Sequence, residues 1–262
     1  VIGRVGGLAY ATVRARAHER GRLASKTDRS CAPDPRPYRA IFGLAVPASL
    51  TFVLMALETL LINGILAHLE HPKEALASYS IYYRVVLFAL NPVIAISVAM
   101  LPYAARRFGR NDLDGVRTGL RDATRITAGY AVVIVGPVLW IGAPWFADWL
   151  AESALSASYT TFGLRLVPFA CLVSAPFLLC RPVFEGMQRG RPGLIMALVR
   201  YLVLTVPLAW AGSRAAAAVG QPQLYGMLLG LTVAAGLSSA AFALWLARTL
   251  PREPGTGADA PA

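Results

Sequence analysis

Six long apolar blocks constrain the fold of this 262-residue chain more than any other feature of its sequence. Each block is long enough to cross a hydrocarbon core of about 30 Å, which takes about 20 residues of α-helix. Within lipid, a helix satisfies every backbone N–H and C=O group inside its own segment. The blocks lack the apolar/polar alternation that is typical of membrane β-barrels. The sequence therefore predicts an all-α integral membrane protein with six spans, at residues 40–67, 76–104, 126–150, 158–181, 194–218 and 224–248.

The basic residues predict how these spans are oriented. The chain has a formal net charge of +11, and its Lys and Arg residues alternate between rich and poor connections. Nineteen of them lie in residues 14–39, 105–125 and 181–191 or at Arg248 and Arg252, whereas the other connections carry two. Basic loops stay in the cytoplasm. We therefore expect a multi-pass protein of the inner or plasma membrane with both ends cytoplasmic. We expect no nucleic-acid partner, because no basic face is interleaved with aromatic residues.

The two ends of the chain differ from the six blocks. Residues 1–13 are apolar but too few to span, and the charges that follow them are on the wrong side for a signal peptide. We expect residues 1–13 to be the end of a preceding transmembrane helix. Residues 14–39 would then form a basic cytoplasmic linker, in which the proline-rich "APDPRP" interrupts a helix. The six spans make one membrane lobe at 40–250, and the Pro/Gly/Ala-rich residues 251–262 predict a disordered cytoplasmic tail.

Glu58, in "LMALETLLING", is the one carboxylate deep inside an apolar block. An ionisable side chain at such depth is costly and usually faces a bundle interior or a water-filled cavity. At 1.5 Å per residue, Glu58 and Arg84 of the second span both lie roughly 13 Å below the same surface. The short loop between their spans makes these helices antiparallel neighbours, so we expect Glu58 and Arg84 to pair. Such a pair would be either structural or the site of proton or sodium exchange.

Other polar side chains in the spans extend this candidate cavity. Arg165 lies close enough to a span end for its guanidinium to reach the interface. Arg200 lies deeper and fits a cavity role as well as a packing role. The predicted cavity set is Glu58, Arg84, Tyr83, Asn63, Asn91, Arg200 and Tyr201. This interior holds more positive than negative groups, so an anionic substrate remains under consideration.

Charged residues spaced four apart mark the inner end of the fourth span. Arg181 and Glu185 face each other at this spacing in a helix, and Arg189 follows four residues later. We interpret the three as an ion-pair ladder that latches a cytoplasmic gate. The chain has no nucleophile–base set, metal-ligand spacing or phosphate-binding loop. We therefore predict that it is not an enzyme and that it holds no metal or cofactor.

The second span and the loop after it resemble the eighth helix of the multidrug and toxic compound extrusion (MATE) transporters, within the larger multidrug, oligosaccharidyl-lipid and polysaccharide flippase superfamily. The matching features are Ala75 and Ala77, the Tyr83–Arg84 pair, Pro92, and Gly109 before "RNDLDGVR". The first span, with Pro47 and Glu58, is similar to the family's seventh helix, and "PVFEGMQRGRPG" is similar to the end of its tenth. Many members carry an acid in the tenth helix, where this chain offers Ser174.

This resemblance implies twelve helices in two six-helix lobes around a cleft, with this chain as the C-terminal lobe. It implies efflux of small organic compounds by alternating access, coupled to H⁺ or Na⁺, with Glu58 as the candidate coupling carboxylate. The implied partners are the lipid bilayer, a small-molecule substrate and a missing N-terminal lobe. The alternative is a flippase for an anionic lipid-linked precursor, which Arg84, Arg165 and Arg200 favour.

Overall fold

The computed structural model describes residues 2–24 and 36–250, which are helical and contain no strand. The chain divides into two units, Val1–Ala40 and Ile41–Ala262. Helix α1, Ile2–Ala24, lies in the first unit and includes the first part of the predicted linker. Residues 25–35 of that linker and the predicted tail at 251–262 lie outside the described residues.

From Arg36 onward, the chain forms eight further α-helices and two π-helical turns. The helices are α2 (Arg36–Leu66), α3 (Pro72–Gly109), α4 (Leu113–Tyr130), α5 (Gly136–Leu150), α6 (Ala154–Gly186), α7 (Gly190–Leu198), α8 (Val206–Ala218) and α9 (Gln223–Thr249). The π-helical turns, Ala131–Val135 and Val199–Thr205, join α4 to α5 and α7 to α8. Each of these two helix pairs therefore makes one continuous span.

In the part of the chain that the structure describes, six spans are long and apolar enough to cross a membrane, and they coincide with the six predicted blocks. The all-α fold class is thereby confirmed, and the chain is a multi-pass membrane protein. The helices extend beyond the apolar blocks. Helix α3 has 38 residues, which is about 57 Å at 1.5 Å per residue. Its excess over the hydrocarbon core carries Arg106 and Arg107, which can lie at the polar interface.

Helix α6 is the central helix of this bundle and packs against α3, α5 and α9. Two serines of α3 bind it at different heights. Ser78 Oγ donates to the Ser156 carbonyl at 3.1 Å, and Ser97 Oγ donates to the Leu178 carbonyl at 2.8 Å. Because lipid offers no hydrogen-bond partner, such side chains stabilise contacts between membrane helices. Helix α6 therefore fixes the position of α3 along its length.

Helices α8 and α9 approach each other more closely than side chains would allow. Gly212 of α8 faces Gly226 of α9, and a Cβ atom on Gly226 would collide with the Gly212 carbonyl. Gly230 lies in the same way against the Leu208 carbonyl, one turn nearer the π-helical turn Val199–Thr205. Small residues allow this backbone contact in membranes. The contact holds the second half of the fifth span against α9.

Two apolar clusters lie towards opposite ends of the bundle. We call the ends arginine-poor, with loops 67–71 and 151–153, and arginine-rich, with loops 110–112 and 187–189. The cluster nearer the arginine-poor end includes Ile62, Leu66, Tyr82, Leu224 and Leu228. The cluster nearer the arginine-rich end is built around Phe177, Phe184 and Phe242. A cavity lies between the two clusters, and Tyr82 of the first cluster also lines it.

Asp112 sets the start of α4 at the arginine-rich end. Its carboxylate accepts a hydrogen bond from the Gly115 N–H at 2.7 Å and forms an ion pair with Arg107 of α3. The Gly115 N–H, followed by Arg107, holds the pKa of the Asp112 carboxyl below its ordinary value. A side-chain acceptor at this position satisfies a free N–H group of the first helical turn. The corner between α3 and α4 therefore depends on one charged residue.

Candidate functional site

A cavity of about 210 Å³ lies within the membrane part of the bundle. We call it the central cavity. Its walls come from α2, α3, α6, α9 and the π-helical turn Val199–Thr205. The polar residues of its lining are Glu58, Thr59, Tyr79, Tyr82, Tyr83, Ser174, Arg200, Tyr201, Thr205 and Thr232. Five elements thus contribute polar residues to one place within the membrane part of the bundle, as expected of groups that avoid lipid.

Glu58 enters the central cavity from α2 as a half-buried side chain. The guanidinium of Arg200 is within electrostatic reach of its carboxylate, and the Thr205 hydroxyl lies beside it. Tyr79 and Tyr83 of α3 line the same wall, with stacked rings whose centroids are 6.1 Å apart. A carboxylate, a guanidinium and several hydroxyl groups therefore share one cavity. Together they can bind a cation at the carboxylate or an anion at the guanidinium.

The π-helical turn Val199–Thr205 positions three of these groups. Pro207 follows it and has no N–H to bond the Val203 carbonyl in the α-helical pattern. Within the turn, the Thr205 hydroxyl donates to the Arg200 carbonyl five residues earlier, at 2.7 Å. A π-helical turn is wider than an α-helical one and is frequent at functional sites. Here it allows Arg200, Tyr201 and Thr205 all to line the cavity.

The Arg200 side chain is held by contacts on two sides. Its Nη2 donates to Ser174 Oγ of α6 at 3.3 Å. Its Cζ lies 4.4 Å from the centroid of the Phe177 ring and 5.8 Å from that of Tyr201. Its Nη1 is buried and has no hydrogen-bond partner among the residues the structure describes. Cation–π contacts stabilise a buried guanidinium but do not satisfy its N–H donors.

The structure brings together four of the seven predicted cavity residues: Glu58, Tyr83, Arg200 and Tyr201. The other three, Arg84, Asn63 and Asn91, are exposed and do not line the cavity. The expected pair of Glu58 with Arg84 is wrong: the ion pairs below 4 Å in the described part of the chain do not include it. One residue along an α-helix is a rotation of about 100°, so a helix that turns Tyr83 to the cavity turns Arg84 away.

Six polar residues of the lining were not predicted as members of the cavity: Thr59, Tyr79, Tyr82, Ser174, Thr205 and Thr232. Tyr79 lies one helical turn before Tyr83, and this spacing of four was the signal that both face the same side. Ser174 was identified from sequence as the residue where related proteins carry an acid, and the structure makes it the partner of Arg200. Thr205 follows Arg200 by five residues, a spacing that α-helical periodicity does not place on one face.

The predicted gate residues lie near the arginine-rich end. Arg181 Nε donates to Glu185 Oε1 at 2.8 Å, and both side chains are partly buried. They line a groove of about 610 Å³ between α6, α7, α3 and the part of α2 around Pro47. Arg189 is exposed and does not line this groove. Of the predicted ladder, the described part of the chain contains the Arg181–Glu185 ion pair, and the role of this pair as a gate stays a prediction.

Fold and cavity together define a multi-pass α-helical membrane protein with a charged cavity inside its bundle. The sequence model of the MatE family matches residues 47–211, which is more than half of the chain. The chain therefore belongs to the MatE family. The matched residues include Glu58 and Ser174 of the central cavity and all of the π-helical turn that carries Arg200.

Two curated relatives each match about two thirds of this chain. A protein named FAD transporter from Shewanella oneidensis is 22% identical over 170 residues, which cover 65% of this chain and 37% of the relative. Multidrug export protein MepA from Staphylococcus aureus is 25% identical over 173 residues, which cover 66% of this chain and 37% of the relative. The matched stretch is thus little more than a third of each relative's length.

A solved structure extends the likeness to most of the chain. The Vibrio cholerae MATE transporter VcmN in the bent form superimposes with a TM-score of 0.81 at 19% sequence identity. The superposition covers 93% of this chain and 53% of VcmN. At this identity, the likeness shows a shared fold, in which the chain corresponds to about half of the solved protein.

Proposed function

We propose that this chain is the C-terminal lobe of a secondary active transporter, whose N-terminal six-helix lobe completes it. The 53% coverage of VcmN supports a second lobe of similar size. An exposed face of α3 also supports it, because Arg84 and Asn91 lie there within a membrane span. Polar side chains at that depth usually face protein or water rather than lipid. We further propose that the protein lies in the inner or plasma membrane with its arginine-rich end in the cytoplasm.

The proposed activity is efflux of small organic compounds by alternating access, coupled to H⁺ or Na⁺ at Glu58. The observation that carries this proposal is the position of Glu58, an intramembrane carboxylate in a cavity that also holds Arg200. Desolvation disfavours an ionised carboxylate, and a nearby guanidinium favours it. Opening the cavity to one side changes both effects, so it can change whether Glu58 holds a cation. The relation to MepA, a multidrug export protein by name, supports efflux.

The coupling ion can be identified in proteoliposomes that contain the intact protein. A proton gradient and a sodium gradient are imposed separately, and accumulation of two fluorescent organic compounds, one cationic and one anionic, is measured. We expect one of the two gradients to drive accumulation. The variant Glu152→Gln is the matched control, since it removes an exposed carboxylate from a loop and should transport normally. Accumulation that is independent of both gradients would contradict ion coupling.

The alternative function is a flippase for an anionic lipid-linked precursor. Arg200 favours it, because a guanidinium suits an anionic group and one of its nitrogens has no partner. Arg84 and Arg165 do not strengthen it, since both are exposed and lie outside the central cavity. The name of one relative, FAD transporter, also supports this alternative, because FAD is an anionic small molecule. Movement of a fluorescent anionic lipid between leaflets, with no ion gradient, would favour the flippase.

A further inference from the structure

Arg200 lines the central cavity and carries a hydrogen-bond donor without a partner among the described residues. A guanidinium has five N–H donors. The structure gives Nη2 a bond to Ser174 Oγ and leaves the buried Nη1 with none. An unpaired polar group away from water is costly and is normally satisfied by a partner. A ligand acceptor in the cavity that draws the guanidinium forward would give this donor a partner and remove the cost.

Glu58 does not supply that acceptor to Arg200. Both residues line the cavity, yet the two do not form an ion pair below 4 Å within the described part of the chain. Ser174 is also available, because its hydroxyl accepts from Arg200 and keeps its own hydrogen to donate. Arg200 and Ser174 therefore line the cavity next to each other, and each keeps a donor without an acceptor among the described residues.

The walls of the cavity limit what can bind there. The planar fork of an arginine matches the two oxygens of a carboxylate. Tyr79, Tyr82, Tyr83 and Tyr201 line the remaining space, and aromatic rings favour offset or edge contact with another ring. A volume of about 210 Å³ equals that of about seven water molecules at ~30 Å³ each. That space suits a molecule with one ring.

We propose that Arg200 and Ser174 form a subsite for the carboxylate of a small aromatic acid, whose ring lies against the cavity tyrosines. This inference rests on the proposed function, since it names a substrate class for the same cavity. It assigns opposite charges to two halves of the site: Glu58 takes the coupling cation, and Arg200 takes the anionic group of the substrate.

The first test compares small ligands on the unmodified intact protein in nanodiscs by isothermal titration calorimetry. Benzoate is the probe. Benzamide has the same shape without the charge, and benzylamine reverses the charge. We expect saturable benzoate binding and at least about tenfold weaker binding of the other two, because a charge-assisted pair is lost. Equal affinity for benzoate and benzamide would overturn the proposal. Binding of inorganic phosphate without binding of benzoate would overturn it as well.

The second test uses variants. Arg200→Gln should weaken benzoate binding about tenfold or more, and Arg200→Lys should restore part of it, since Lys keeps the charge but loses the planar fork. Arg165→Gln is the matched control, because it removes an exposed arginine from another span and should leave affinity unchanged. Benzoate affinity of Arg200→Gln within about twofold of the original would overturn the assignment. If Arg200→Gln does not fold, the ligand series on the unmodified protein decides the question.

These binding measurements separate this inference from the proposed function. Ion-driven transport with no benzoate binding would overturn the carboxylate subsite and leave coupling at Glu58 standing. Benzoate binding that depends on Arg200, in a protein that shows no ion-driven transport, would support the subsite and contradict the coupled efflux.

Discussion

A carboxylate and a guanidinium that share a cavity without contact suit a site that binds and releases a ligand between them. Glu58 and Arg200 line the same cavity without an ion pair below 4 Å in the described part of the chain, and attraction between opposite charges is stronger in a low-dielectric interior than in water. A close, fully bonded pair would be harder to separate, since breaking it leaves each charge without compensation. The gap in the central cavity leaves room for an ion or a substrate to intervene.

Asp112 gives a residue-scale prediction about acid. Its folded-state pKa is lowered, so its stabilising effect is present above the unfolded value of about 3.9 and is lost as pH falls through the lower folded value. Asp112→Asn keeps an oxygen acceptor for the Gly115 N–H but cannot titrate. We expect its melting temperature to fall less than that of the unmodified protein between pH 5 and pH 3, values chosen to bracket about 3.9.

The control for this prediction is Asp114→Asn. Asp114 lies two residues further along and makes an exposed, longer contact with Arg117, at 3.4 Å. Its acid response should match that of the unmodified protein, because exposed ion pairs contribute little. If Asp112→Asn loses as much stability in acid as the unmodified protein does, the charge of Asp112 does not stabilise the start of α4.

For single residues, the sequence predicted the depth of a side chain in the membrane but not the side of the helix on which it lies. Depth follows from counting residues along a helix, and this identified Glu58 as an interior carboxylate. Direction around the helix axis follows from an apolar face and a polar face. Membrane helices such as α3 are apolar on nearly all sides, so the sequence could not tell that Tyr83 faces the cavity and Arg84 does not.

The close contact of α8 with α9 gives an element-scale prediction. Gly226→Ala places a methyl group against the Gly212 backbone, which cannot move aside as a side chain can. We expect it to destabilise the protein by about 1–3 kcal/mol, the usual cost of overpacking. The measurement is thermal unfolding in detergent.

Gly236→Ala is the matched control in the same helix. Its new methyl group would lie 3.7 Å from the nearest atom of Val173, an ordinary contact. It should be neutral or stabilising by up to about 1 kcal/mol, because Ala favours helix over Gly. Equal effects of the two substitutions would contradict backbone contact between α8 and α9.

The number of membrane spans was predictable from the sequence, but the length of α3 and the two π-helical turns were not. Six spans follow from the length of apolar blocks, which needs no knowledge of packing. The excess length of α3 was missed because charged residues continue a helix beyond the lipid. Both π-helical turns were also missed. A proline follows each, at Pro137 and Pro207, but Pro47 and Pro92 lie inside α-helices without one. A proline alone therefore does not specify a π-helical turn.

For the whole molecule, orientation can be tested by cysteine labelling. Arg110→Cys and Glu152→Cys place thiols in exposed loops at opposite ends of the span Leu113–Leu150, in a background with Cys31 replaced by serine. We expect a membrane-impermeant maleimide to label Glu152→Cys in intact cells and Arg110→Cys only after permeabilisation, since basic loops stay in the cytoplasm. Labelling of both from the same side would contradict the topology.

The measurement that tests the account most directly is transport by Glu58→Gln in the intact protein. This substitution keeps the size and hydrogen bonding of the side chain but removes its ability to carry charge. In proteoliposomes, we expect it to abolish accumulation driven by an ion gradient while exchange of substrate across the membrane, measured with no gradient, continues. That result would separate coupling from substrate movement and assign the coupling to Glu58. Normal gradient-driven accumulation by Glu58→Gln would contradict the account.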